Sequence, residues 1–319
     1  MKPFAFPALL SLLGLCFAGP LVAQDKAAPP QNAPVTAAKP AGMPGTREVK
    51  DLPYVTGGSD RQKLDLCLPE TSTSPRPLVA WIHGGGWEAG NKNSCPAKVL
   101  VGRGYAVASI GYRLSQQAVY PAQIEDCKAA VRWLRAHASE YGIDPKRIGV
   151  WGESAGGHLV ALLGTTGNIR DFDVGENLDQ SSKVQCVLDW YGPTDFLHYG
   201  EPPKKELDRP GSAVAKLLGG TVTEHPADAK RASPVYFVTS ESAPFLIMQG
   251  DKDPLVPLQQ SELLNTALKK AGVETELEVI PGGGHGGPGF ITPDERKRMA
   301  DFLDRHLQQH AVSVEPSRK

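Results

Sequence analysis

The feature that most constrains this chain is the five-residue run GESAG at residues 152–156. A strand-like stretch, residues 147–151, comes directly before it, and a helix-like stretch, residues 155–163, comes directly after. A serine between glycines fits the tip of a tight strand-to-helix turn, because glycine relieves crowding around strained backbone. The N–H groups at the start of the following helix then point towards the serine. The pattern predicts that Ser154 is an exposed nucleophile.

A second glycine-rich loop, HGGGW at residues 83–87, follows the apolar run at residues 78–82. Consecutive glycines let backbone N–H groups face a ligand without an intervening Cβ. We predict that the N–H groups of Gly85, Gly86 and Ala155 converge on one oxygen and stabilise a negative charge there. His83 is expected to hold this loop by hydrogen bonding and not to act as a base.

Two further loops supply an acid and a base, which an activated serine requires. The run GDKDPLVP at residues 250–257 predicts that Asp253 is the acid, with Asp251 as the alternative. The run GGGHG at residues 282–286 predicts that His285 is the base. His158, one helical turn after Ser154, is expected to be a buried structural histidine.

Strand-like and helix-like stretches alternate from residue 77 onward, which predicts an α/β fold. The continuous apolar runs indicate a mostly parallel central sheet with helices on both faces. Predicted strands cover residues 78–82, 105–110, 147–151, 184–190, 245–248 and 276–280, and predicted helices cover residues 121–141, 155–163, 258–270 and 293–307. Residues 49–54 and 63–68 alternate in polarity and predict antiparallel edge strands. Residues 193–243, rich in proline and charge, predict a cap insertion over the carboxyl edge of the sheet.

The four loops together resemble the esterase and lipase branch of the α/β-hydrolases, in particular the carboxylesterase-like and feruloyl-esterase-like group with HGGGW. The resemblance covers residues 47–310. It implies the α/β-hydrolase fold, in which serine, aspartate and histidine follow in this order along the chain. It also implies ester hydrolysis through an acyl-enzyme, without metal or cofactor. Hormone-sensitive-lipase-like relatives carry a helical cap before the first core strands, so any lid here must come from residues 193–243.

The substrate stays open at this stage. The acyl group is expected to be short-chain or aromatic, on a small-molecule or polysaccharide-linked ester, and Trp87, Trp190 and Tyr191 are candidates for the pocket wall. A serine exopeptidase on the same fold and a non-catalytic binding module are the alternatives. The chain has 34 lysines and arginines against 35 acidic residues, so its net charge of −1 gives no general attraction to nucleic acid or anionic lipid.

The N-terminal residues predict export. Residues 1–23 combine Lys2, an apolar run and a small-residue cleavage site, which is typical of a secretory signal peptide. Prolines shorten the apolar run below the length of a membrane anchor, and the bulky Leu15 before Cys16 disfavours a lipoprotein. We therefore expect a secreted or periplasmic protein, with no stable membrane insertion. Residues 24–46 predict a disordered tether, residues 47–310 the folded domain and residues 311–319 a flexible tail.

Four cysteines lie beyond the predicted signal peptide, and an oxidising compartment permits disulfides between them. They are Cys67, Cys95, Cys127 and Cys186. Cys127 and Cys186 lie in apolar patterns and are expected to be buried side chains, whereas the pairing of the cysteines and the oligomeric state stay open.

Overall fold

The computed structural model describes residues 45–70, 74–200 and 208–308. The predicted signal peptide, nearly all of the predicted tether and the predicted C-terminal tail lie outside these residues. The first strand, β1, covers Thr46–Pro53 and so begins next to the predicted start of the folded domain. Within the described residues, no helix is both long and apolar enough to cross a bilayer.

The centre of the fold is a mixed, mostly parallel sheet, as predicted. The two strands at one edge, β1 and β2, are antiparallel to their neighbours, and every other neighbouring pair is parallel. In spatial order the described strands are β1 (Thr46–Pro53), β2 (Lys63–Pro69), β4 (Ala106–Ile110), β3 (Arg76–Ile82), β5 (Ile143–Glu153), β6 (Val187–Trp190), β7 (Phe245–Gly250) and β8 (Thr275–Ile280).

Helices cover both faces of this sheet. The described helices are α1 (Ala122–Ala136), α2 (Ala155–Thr165), α3 (Ala213–Leu218), α4 (Pro226–Arg231), α5 (Leu258–Lys270) and α6 (Pro293–Leu307). Alternate side chains of β3 belong to two different cores: Leu78 lies in the core that includes α1 and α2, whereas Trp81 lies in the core that includes α6. This alternation is the period of two that a strand buried on both faces requires.

Two predicted boundaries differ from the structure. The helix predicted over residues 121–141 ends at Ala136, and the chain turns through Gly142, which has a φ of +64°, into an earlier start of β5. The sequence does not mark this earlier end, because residues 137–141 contain no glycine or proline. The strand predicted over residues 184–190 begins only at Val187.

The described part of residues 193–243 packs closely against the rest of the domain. It contains α3, α4 and a 3-10 helix, Pro234–Phe237. Phe196, Val214 and Leu217 are buried in the same core as α2. The described part of the predicted cap insertion therefore contributes to the hydrophobic core.

The four cysteines are free thiols in this structure. Cys127 and Cys186 are buried, as expected, and so is Cys67, whereas Cys95 is half-buried. Burial raises the pKa of the Cys95 thiol to about 12, which keeps it protonated near neutral pH.

Candidate active site

Ser154 stands on a strained turn between β5 and α2. Its φ of +52° and ψ of −117° are unusual for a residue other than glycine. The serine N–H donates to the carbonyl of Trp190 at 2.8 Å, and its own carbonyl accepts from the N–H of His158 at 2.9 Å. These backbone bonds hold the turn rigidly at the carboxyl edge of the sheet.

The glycines on either side of Ser154 are required by close approach of the backbone. A Cβ on Gly152 would stand 2.4 Å from the carbonyl oxygen of Gly156. A Cβ on Gly156 would stand 2.1 Å from the carbonyl oxygen of Ile82 in β3. Glycine at both positions therefore lets α2 start directly against the neighbouring strand.

A hydrogen-bonded chain joins Ser154, His285 and Asp253, which come from three separate loops. The Ser154 hydroxyl lies 2.8 Å from His285 Nε2, and Asp253 Oδ2 lies 2.7 Å from His285 Nδ1. A carboxylate only accepts, so Nδ1 carries the proton and donates to Asp253. Nε2 then accepts from the serine hydroxyl, which is the arrangement that activates a serine.

Asp253 is held as a buried anion. Its side chain has no exposed surface, and its carboxylate accepts from the N–H groups of Leu255 at 2.8 Å and Val256 at 2.9 Å. Burial acts to raise the pKa of this carboxyl, but the hydrogen bonds from His285 and from the backbone outweigh burial and lower the pKa below its usual value.

Asp251, the alternative acid, has a different position. It accepts from the N–H of Gly282 at 2.7 Å and so connects its own loop to the start of the histidine loop. The structure therefore places Asp253 against His285, as the preferred prediction has it.

The glycine loop after β3 leaves two of the three predicted oxyanion donors free of other backbone hydrogen bonds in the described residues. Gly85 and Gly86 line the same cleft as Ser154, and both have positive φ, +110° and +59°. Among the described residues their N–H groups donate to no other backbone group. Ala155, whose N–H is the third predicted donor, is the first residue of α2 and follows Ser154 directly.

His83 holds this loop, as expected. Its Nδ1 lies 2.7 Å from the carbonyl oxygen of Gly84, and its ring stacks on Tyr112 with centroids 4.4 Å apart. Burial lowers the pKa of His83 to about 4, so the imidazole is neutral at ordinary pH. His83 therefore stabilises the loop from beneath and does not line the cleft.

The cleft around Ser154 has a volume of about 430 Å³. Its lining residues are Gly84, Gly85, Gly86, Glu88, Glu153, Ser154, Tyr191, Leu255 and His285. Tyr191, one of the predicted wall residues, is among them. Its ring lies 4.6 Å from the imidazole of His285, and its hydroxyl lies 3.2 Å from Glu153.

The other two aromatic candidates, Trp87 and Trp190, do not line the cleft, which corrects the prediction. Trp87 is 4% exposed, and its indole N–H donates to His158 Nδ1 at 3.1 Å. Trp190 is 5% exposed and directs its indole N–H towards Met248 Sδ. Each indole is therefore held in the core by a partner distant in sequence.

His158 is buried, as predicted. Its Nε2 donates to the carbonyl of Ala232 at 2.6 Å, while Nδ1 accepts from Trp87. Burial lowers the pKa of His158 to about 4.

Four wall residues were not predicted as site residues from the sequence: Gly84, Glu88, Glu153 and Leu255. Leu255 is 59% exposed although it is apolar, and it follows Asp253 by two positions. Glu153 directly precedes Ser154 in the sequence. Adjacency to a predicted catalytic residue is the sequence feature that could have identified both. Among the described residues, no group of three or more histidine, cysteine or acidic side chains is arranged to hold a metal.

Fold and site together define the class: an α/β-hydrolase with a serine–histidine–aspartate site. The BD-FAE family model matches residues 64–268, about two thirds of the chain, and the chain belongs to that family. The match includes Ser154 and Asp253 and ends before His285.

Several relatives of this chain are named as esterases. The chain is 33% identical to Esterase LipQ of Mycobacterium tuberculosis over 235 residues, which cover 72% of this chain and 54% of that protein. It is 30% identical to Carboxylesterase NlhH of the same organism over 221 residues, 66% of each protein. The chain thus spans about half the length of LipQ, LipC and LipM.

Solved structures agree with this assignment. A truncated form of carbohydrate esterase from gut microbiota superposes with a TM-score of 0.76 at 33% identity, over 82% of this chain and 97% of that one. Thermogutta terrifontis esterase 2 phosphorylated by paraoxon superposes with a TM-score of 0.65 at 26% identity, over 83% and 96%.

Proposed function

We propose that this chain is a secreted serine esterase that hydrolyses carboxylic esters of short-chain or aromatic acyl groups through an acyl-enzyme. The observation that carries the proposal is the hydrogen-bonded chain from Ser154 through His285 to Asp253, at 2.8 Å and 2.7 Å. The similarity of the protein to esterases of known structure, one of them phosphorylated by paraoxon, also supports ester hydrolysis by an activated serine.

In the proposed reaction, His285 takes the Ser154 proton as the serine oxygen attacks the ester carbonyl. Asp253 holds the imidazole in the required tautomer and stabilises its charged form. The negative oxygen of the tetrahedral intermediate accepts from the N–H groups of Gly85, Gly86 and Ala155. His285 then protonates the leaving alcohol, and water repeats the sequence on the acyl-enzyme to release the acid.

The cleft supports a small acyl group. Its volume of about 430 Å³ is at the low end of ligand pockets. Tyr191 and Leu255 provide its aromatic and apolar wall surface, because Trp87 and Trp190 are held in the core. The similarity to a carbohydrate esterase supports an ester carried by a polysaccharide or a smaller sugar.

Secretion is proposed on the sequence of residues 1–23 alone. Expression of the whole chain in a bacterial host, with Edman sequencing of the exported protein, tests it. A mature N-terminus at Gln24 supports export by a cleaved signal, and an intact Met1 in the cell pellet contradicts it.

The first test of the activity is hydrolysis of p-nitrophenyl acetate by the exported protein and by Ser154→Ala. We expect kcat to fall by about 10⁵- to 10⁶-fold in the variant, because the serine and the histidine act as one unit. Circular dichroism of both proteins controls for folding. Equal rates would mean background hydrolysis and would favour the non-catalytic binding module.

A further inference from the structure

Glu153 is a carboxylate in the wall of the cleft that the proposed reaction does not use. It is half-buried, and it stands beside the nucleophile: a Cβ on Gly84 would lie 3.1 Å from Glu153 Cγ and 3.3 Å from Ser154 Cβ. Its hydrogen-bond partner among the described residues is the hydroxyl of Tyr191, at 3.2 Å from Oε2. No lysine, arginine or histidine of the described residues forms an ion pair with it.

Glu88 provides the comparison, since it lines the same cleft but its charge is compensated. Glu88 Oε2 lies 2.6 Å from Lys216 Nζ on α3. The two cleft carboxylates therefore differ in one respect that matters for recognition. The negative charge of Glu88 is neutralised by a partner, whereas that of Glu153 faces the cleft with only a neutral phenol bound to it.

An uncompensated carboxylate beside the reacting centre acts on substrates through their charge. It attracts a cation, accepts hydrogen bonds from hydroxyl groups, and repels a second anion across the partly desolvated cleft. At the effective dielectric constant of a partly buried site, a unit charge within several ångströms changes binding by about tenfold or more.

We propose that Glu153 is a specificity-determining residue, which makes the cleft select neutral, hydroxyl-rich and cationic ester substrates over anionic ones. The proposal rests on the proposed esterase function and deepens it. Tyr191 supports the selection because its hydroxyl donates to Oε2 and holds the carboxylate towards the cleft, while Oε1 has no partner among the described residues.

The test uses three thioacetates that share one acyl group and differ in the charge of the leaving group. They are acetylthiocholine, its neutral counterpart 3,3-dimethylbutyl thioacetate, and the anionic 3-(acetylthio)propanoate. The released thiol is measured for the wild type, Glu153→Gln and Glu88→Gln at low salt. The quantity compared is the ratio of kcat/KM between charged and neutral substrates, which a general loss of activity or stability does not change.

We expect Glu153→Gln to lower the cationic-to-neutral ratio by about fivefold to tenfold and to raise the anionic-to-neutral ratio by a similar factor. Added salt should shrink both ratios in the wild type, because ions screen the charge of a partly exposed carboxylate. Glu88→Gln also removes one negative charge, but from a more exposed ion pair with Lys216, so it should shift both ratios in the same direction by less than about twofold. Glu153→Asp keeps the charge and should keep the wild-type order of preference.

Unchanged ratios in Glu153→Gln would overturn the proposal. Equal shifts in both glutamine variants would also overturn it, since the selection would then belong to the general field of the cleft. Failure of the esterase function itself is distinguishable, because in that case Ser154→Ala would match the wild type on all three substrates.

Discussion

At the residue scale, Asp251 and Asp253 belong to one short loop but have different hydrogen-bond partners. Asp253 accepts four hydrogen bonds, from His285, Gln249 and the N–H groups of Leu255 and Val256. Asp251 accepts from the N–H of Gly282 and forms a long ion pair with Lys252, at 3.8 Å. Asp253 alone of the two therefore sets the tautomer of the imidazole.

Replacing Asp253 by asparagine should lower kcat for p-nitrophenyl acetate by about 10³- to 10⁴-fold, because an amide N–H facing His285 favours the wrong tautomer. KM should change little, since the contact with substrate is unaltered. Asp251→Asn is the matched control and should lose less than about tenfold. An equal loss in the two variants would contradict the assignment of the acid.

At the scale of elements, the site is made where strand ends and helix starts approach unusually closely. Gly156 brings α2 against β3, and the loop after β3 folds back on itself so that a Cβ on Gly85 would stand 2.4 Å from the carbonyl oxygen of Ala89. The 3-10 helix Pro96–Arg103, which follows the same loop, has no such constraint at Gly102, where a Cβ would meet nothing within 4 Å.

Gly85→Ala should therefore displace the loop and remove at least one oxyanion donor. We expect kcat to fall by about 10²- to 10³-fold, the cost of losing one such donor. Gly102→Ala, the matched control, should leave kcat within about twofold and should raise the melting temperature slightly, because alanine restricts the unfolded chain. Steady-state rates and thermal melts of the two variants check these expectations. Full activity in Gly85→Ala would contradict the prediction that the glycine loop after β3 supplies oxyanion donors.

The same scale explains how much of the site could be predicted from the sequence. Loops such as GESAG and GGGHG are constrained by local geometry, so neighbouring residues are enough to predict their role. Neighbouring residues do not predict the direction of an aromatic side chain: Trp87 is held by His158, 71 residues away, and Trp190 by Met248, 58 residues away. Such partners come together only in the folded chain, so the sequence alone does not predict that both indoles lie in the core and not in the cleft wall.

At the scale of the whole molecule, buried ionisable groups connect distant segments. His158 on α2 accepts a hydrogen bond from Trp87 of the glycine loop after β3 and donates one to the carbonyl of Ala232, which lies within residues 193–243. Asp189 in β6 is fully buried, with one oxygen accepting from the N–H of Gly192 at 3.0 Å and the other without a partner among the described residues. Burial raises the pKa of Asp189 to about 7, so the folded protein keeps this carboxyl neutral over much of the acidic range.

These groups make stability depend on pH in opposite senses. The pKa of His83 and of His158 is about 4 in the folded protein and about 6.5 in the unfolded chain, so acid from pH 6.5 down to 4 favours unfolding. For Asp189 the folded pKa lies above the unfolded one, so the unfolded state gains as pH rises from about 4 to 7. The two imidazoles outweigh the one carboxyl, so these three groups together add one bound proton to the unfolded chain in this window.

These three groups should therefore contribute a rise of about 1.4 kcal/mol per pH unit to the free energy of unfolding between pH 4.5 and 6, measured by urea titration. Asp189→Asn imitates the neutral carboxyl and removes the opposing group, so its slope should exceed that of the wild type by about 1.4 kcal/mol per pH unit. His158→Gln removes one imidazole and should lower the slope by about the same amount. Parallel curves for the wild type and Asp189→Asn would show that Asp189 is ionised in the folded protein, and the argument for a neutral buried carboxyl in β6 would fail.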